Sequence, residues 1–127
     1  MIQLSDHPKA NLSVNASYNA IEWSSFDDAI NFHKDSFKRE AGGEVTVVNQ
    51  VPTTLGGLKA IRFTLRPETR ALNDPEVREV LLAFRRAAGE VRIVYEITLS
   101  TLSSRYHRDK HLIADLQRTW RLKPLPK

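Results

Sequence analysis

The clearest hydrophobic pattern in the chain lies at residues 90–101. Val91, Ile93, Tyr95, Ile97 and Leu99 alternate with Arg92, Glu96, Thr98 and Ser100, and Val94 alone is apolar and out of phase. A period of two built from β-branched and aromatic residues predicts a strand with one face in a core and the other wet or covered by something polar. Residues 11–18 repeat the pattern, with Leu12, Val14, Ala16 and Tyr18 opposite Asn11, Ser13, Asn15 and Ser17. Residues 44–51 predict a third strand carrying Val45, Val47 and Val51 on one face. It is closed by a turn over residues 52–57, whose glycines permit positive φ. Residues 58–66 predict a fourth, with Ile61, Phe63 and Leu65 inward and Arg62, Thr64 and Arg66 outward.

Between the strands the period changes. Ser24 or Ser25 can cap a helix with Asp27 and Asp28 in its first turn, and Phe26, Ala29, Ile30, His33, Phe37 and Ala41 follow at helical spacing until Gly42-Gly43 stops it. His33, inside that stripe, reads as a hydrogen-bonded core or boundary residue rather than a ligand. Ser103 or Ser104 can cap a last helix with Tyr106, Leu112, Ile113, Leu116 and Trp120 on one face, before Leu122 and a Pro-rich tail. Residues 1–10 are weakly patterned, with a turn at His7-Pro8-Lys9. Residues 73–86 are ambiguous. Asp74-Pro75-Glu76 with Val77, Val80, Leu81 and Phe84 fits a helix, whereas Val80, Leu82 and Phe84 also alternate and would pair directly with the next strand. The shorter connection favours the strand. The expected fold class is α+β: an antiparallel sheet of about five strands packed with an N-terminal and a C-terminal helix. The expected organisation is one domain over 1–127, with a core at about 10–122 and terminal extensions on either side.

Composition changes this picture little. A chain of 127 residues is long enough for a core without staples, and the absence of cysteine excludes disulfides, thiolate catalysis and cysteine-ligated zinc. No apolar run approaches a membrane span. As it stands the chain reads as cytoplasmic, and as extracytoplasmic if a leader has been removed. The charge of +4 is uneven: residues 1–63 carry six Lys/Arg and seven Asp/Glu, residues 64–127 thirteen and eight, and residues 105–127 alone seven and two. A basic C-terminal segment can meet an acidic protein, anionic lipid or nucleic acid, although a solvated helix face explains it as well.

Candidate chemistry is sparse. His107-Arg108-Asp109 mimics the kinase catalytic loop, but that loop needs an Asn where this chain has Ala114, and no Gly-rich loop or Asp-Phe-Gly accompanies it. His107, His111 and Asp115 fall on one helical stripe at metal-ligand spacing. That stripe lies opposite the apolar one and faces water, so no metal is expected. Serines at 24–25 and 100–104 lack a nucleophile elbow or a base. Arg62, Arg66, Arg92, Glu96, Thr98 and Ser100, with Ser13 and Asn15, would form a polar outward sheet face able to bind an acidic or polar partner. Arg108 and Arg118 add a basic helix surface.

Several stretches together resemble the PsbP-like superfamily: Asn11-Leu12-Ser13-Val14, Ser25-Phe26-Asp27-Asp28-Ala29, Leu55-Gly56-Gly57-Leu58-Lys59-Ala60, Val94-Tyr95-Glu96-Ile97-Thr98-Leu99 and Leu116-Gln117-Arg118-Thr119-Trp120-Arg121-Leu122. The similarity runs over about residues 10–122. It favours a strand at residues 77–86, and departs from the family at the start, where the usual opening strand pair around a Pro-Gly-Trp-like turn is missing. The resemblance implies a non-enzymatic accessory, chaperone or binding role and supplies no catalytic residues. The expectation is thus a non-catalytic module that engages a protein partner through the polar sheet face or the basic C-terminal helix, without a cofactor, as a monomer or homodimer. Two alternatives stand beside it: a small enzyme or ligand-binding domain with a pocket between helix and sheet, and weak nucleic-acid binding through residues 105–127.

Overall fold

The strand Glu76–Arg86 (β5) resolves the ambiguous segment. Val77, Glu79, Val80, Leu81, Leu82 and Ala83 are all buried, so both of its faces lie in a core. A strand enclosed on both sides has a continuous apolar run, which periodicity alone cannot tell from a buried helix. The computed structural model of the chain describes residues 2–3, 11–18, 25–68, 74–86 and 92–121. The other strands are Ile2–Gln3 (β1), Asn11–Tyr18 (β2), Val45–Leu55 (β3), Leu58–Pro67 (β4) and Arg92–Leu102 (β6). They form one antiparallel sheet in the order β1-β2-β6-β5-β4-β3. The helices are Phe26–Ala41 (α1), Tyr106–Asp109 (α2) and His111–Thr119 (α3), with a 3₁₀ turn at Ser103–Arg105 before α2. This is the expected α+β architecture, with five long strands and a two-residue one at the first edge. His7-Pro8-Lys9, Ser24, Val91, Leu122 and the Pro-rich tail fall outside the described residues.

Two helical layers cover opposite faces. α1 starts at Ser25, whose hydroxyl accepts the Asp28 amide at 3.3 Å, and ends at Gly42 in the left-handed region (φ 72°). Its Ala29, Ile30 and Phe37 pack on Val45 of β3, Ile61, Phe63 and Leu65 of β4, and Val80 and Leu82 of β5. On the other face Ile113 of α3 packs with Leu12, Leu55, Ala60, Leu81, Ala83, Ile97 and Leu99, and Leu112, Leu116 and Trp120 border them. The two inward sets predicted for β4 and β6 therefore belong to different cores. Opposed residues of paired strands share a face, and Arg62 opposes Leu81, which opposes Ile97. Alternation fixes which residues go together within a strand, but register decides which side they take. His33, under α1, lies with Nε2 3.1 Å from Glu96 Oε2, as expected of a boundary histidine.

β3 corrects two expectations. It continues through Pro52 to Leu55, and the turn is only Gly56-Gly57, both at positive φ (56° and 85°), as a two-residue hairpin turn matching strand twist requires. Between Val48 and Val51 the register shifts, because three steps along β3 oppose two along β4 (Thr64 to Arg62). This bulge, with Asn49 at φ 54°, carries Val51 to the face opposite Val45 and Val47. Pro52 is tolerated because β3 is an edge strand.

Candidate functional site

A buried acid sits where β4 and β5 pass beneath α2. Glu79 is 4% exposed and points to the side that carries Leu81 and Ile97. A carboxylate taken out of water needs charge and hydrogen-bond partners, and the neighbouring elements supply both. Arg62 of β4 donates from Nη2 to Glu79 Oε2 at 2.5 Å, and from the same nitrogen to the Lys110 carbonyl at 3.1 Å. Tyr106, the first residue of α2, donates its hydroxyl to Glu79 Oε1 at 2.5 Å. Thr64 Oγ1 lies 3.3 Å from that oxygen and 3.2 Å from the phenol. Burial first, and the bond to Glu79 second, push the Tyr106 phenol above its ordinary pKa, with Thr64 and Arg62 pulling weakly the other way.

The same side chains floor an open cleft of about 640 Å³ between the C-terminal helices and the bulged edge strand. Asn49, Val51 and Thr53 form the β3 wall, which exists because the bulge turns Val51 and Thr53 to this side. His107, Lys110, His111, Ala114 and Gln117 form the helical wall. Gln117 ties the walls together, donating at 2.6 Å to both Thr53 Oγ1 and the Thr54 carbonyl. The helical segment is pegged by polar contacts as well as by Ile113. Buried Thr101 donates to buried Asp109 at 2.6 Å, and Asp74 accepts from the Ser104 amide at 2.7 Å and hydroxyl at 2.6 Å. Asp74, just ahead of β5, thus tethers the start of the C-terminal helical segment.

The sheet-face set is divided. Arg62 and Arg66 share the side of the C-terminal helices, whereas Arg92, Glu96, Thr98 and Ser100 lie on the α1 side, so the predicted common patch does not form. Arg66 Nη1 donates to the Ser103 hydroxyl at 3.3 Å, and its guanidinium lies 5.1 Å from the Tyr106 ring centroid. Arg92 lies 5.7 Å from the Phe84 ring centroid, and Glu96 meets His33. Arg108 is exposed, as is Arg118, which pairs with Asp115 at 2.9 Å. His107 and His111 are exposed, and His111 Nδ1 contacts the Arg108 carbonyl. Among the described residues no three His, Cys, Asp or Glu side chains are grouped as metal ligands. None of their helices is long and apolar enough to cross a membrane. Sequence patterning does not single out Glu79 and Tyr106 as site residues. The available signal is one carboxylate inside the apolar run at residues 77–83, facing an arginine on the next strand.

No protein-family model matches the chain, and no curated protein matches it in sequence. Solved structures do. The solution structure of cyanobacterial PsbP from Synechocystis sp. PCC 6803 superposes with a TM-score of 0.64 at 16% identity, over 93% of this chain and 69% of that one. The crystal structure of a protein of unknown function from Pseudomonas aeruginosa superposes with a TM-score of 0.52 at 15% identity, over 93% and 84%. At such identities the likeness concerns the fold, which is PsbP-like.

Proposed function

With that PsbP-like fold as premise, we propose that the chain is a non-catalytic accessory module that engages a protein partner through the basic face of its C-terminal helices. The observation that carries this reading is the run of exposed His107, Arg108, Lys110, His111 and Arg118 along α2 and α3. Their charge is complementary to an acidic surface and is placed to steer and orient it. Two further features support a binding role. The buried acid is matched by Arg62 and by two hydroxyls, which fix it in the packing beneath α2. The serines at 103 and 104 are likewise engaged, with Arg66 and Asp74.

The test is a pull-down from extract of the source cell with the full chain as bait, at low and high salt, beside the double variant Arg108→Glu/Arg118→Glu. A partner held at low salt and lost by the charge-reversed bait is expected. Recovery of no partner in either salt regime, or equal recovery by both baits, overturns the reading.

A further inference from the structure

We propose that the cleft between α2–α3 and the bulged strand β3 binds a small molecule through its carboxylate or phosphate group, with Arg62 and Lys110 as the two cations that receive it. The inference does not depend on a protein partner. It starts from the donors of Arg62. Only Nη2 is engaged, twice, by Glu79 and the Lys110 carbonyl; Nε and Nη1 have no partner among the described residues and are not enclosed. Nη2 lies between those two nitrogens around the open side of the guanidinium, so each offers an oxyanion a single charge-assisted hydrogen bond from its own edge.

Charge on the cleft favours an anion. Among the described residues Glu79 is its one carboxylate and is already spent on Arg62, while Lys110 has no acidic partner there. Arg62 and Lys110 against Glu79 leave the described lining with a net positive sign. The arginine is also held from behind by the Glu79–Tyr106–Thr64 cluster, so binding an anion would freeze little further side-chain freedom. The volume, about 640 Å³, exceeds what a bare ion needs and falls in the range of small-molecule pockets, and Val51 and Ala114 give the body of the ligand an apolar wall.

The test uses the full chain and two probes, inorganic phosphate and citrate, each titrated at constant ionic strength and followed by amide and arginine Nε resonances. Saturable shifts at Arg62 and Lys110 are expected. They should weaken by about tenfold or more in Lys110→Gln and in Arg62→Lys, which keeps a cation beside Glu79, and stay unchanged in Arg118→Gln outside the cleft. Tighter binding of phosphate or of citrate then identifies the group. If Arg62→Lys does not fold, Lys110→Gln alone decides. Absence of saturable shifts with both probes, full affinity in Lys110→Gln, or an equal loss in Arg118→Gln overturns the proposal. The pull-down variant changes Arg108 and Arg118, which do not line the cleft, so failure of one test is distinguishable from failure of the other.

Discussion

Replacing Arg62 by Met removes the only cation bonded to Glu79 among the described residues and leaves the methylene volume in place around a side chain that is 4% exposed. Losing one member of a fully buried pair costs roughly 3–5 kcal/mol, because the surviving charge is stranded. Here the lower end applies. Arg62 is 22% exposed, water can enter from the cleft, and Tyr106 and Thr64 still donate to Oε1. The expected loss is about 3 kcal/mol. Glu79→Gln alone keeps shape but weakens the bonds from Arg62, Tyr106 and Thr64, for a cost of about 1–2 kcal/mol. In the double variant no charge is buried, so its loss should be smaller than the sum by about 1–2 kcal/mol, and no larger than that of Arg62→Met alone. Urea unfolding with unchanged m-values measures all three differences. Strict additivity, or an Arg62→Met loss below about 0.5 kcal/mol, would mean that the pair is a surface-like contact and refute the reasoning.

Other perturbations probe separate parts of the argument. Because folding raises the Tyr106 pKa, its contribution is intact below the unfolded value of about 10 and is lost as pH climbs through the raised folded value. In a near-ultraviolet titration Tyr106 should ionise above the ordinary tyrosine range, and Tyr106→Phe should flatten the alkaline fall in stability at a cost of about 2 kcal/mol at neutral pH. Leu81→Ala, at a fully buried position on the central strand, should cost about 2–5 kcal/mol in the same urea assay. Gly57→Ala meets no atom within 4 Å but must hold φ near 85°, so about 1–2 kcal/mol of conformational strain is expected with no loss of packing.

What can be read in advance follows from what a pattern encodes. Alternation finds β2, β4 and β6, and the Ser25 cap with Gly42 bounds α1, because each depends on residues close in sequence. Helix against strand at β5 depends on burial of both faces, which is a tertiary property. The division of Arg62 from Glu96 depends on register across three strands, and no single strand carries that information. The site is harder still. Arg62 stands out as a candidate, yet its partners lie 17 and 48 positions away, at Glu79 and Lys110. Tyr106 reads as an apolar residue of a helical stripe when its hydroxyl is the part that matters.

The kink at Asn49 and Gln50 divides the loyalties of the edge strand. Ahead of it Val45 belongs with α1; beyond it Leu55 belongs with Ile113. Delete one residue there, and β3 would match β4 step for step between Thr64 and Arg62, so Val51, Thr53 and Leu55 would keep their sides and only the bend would go. One amino acid removed here should accordingly leave both cores seated, whereas removing two would put β3 one step short of β4 and turn Val51 and Leu55 towards α1, unseating one core and erasing the cleft together.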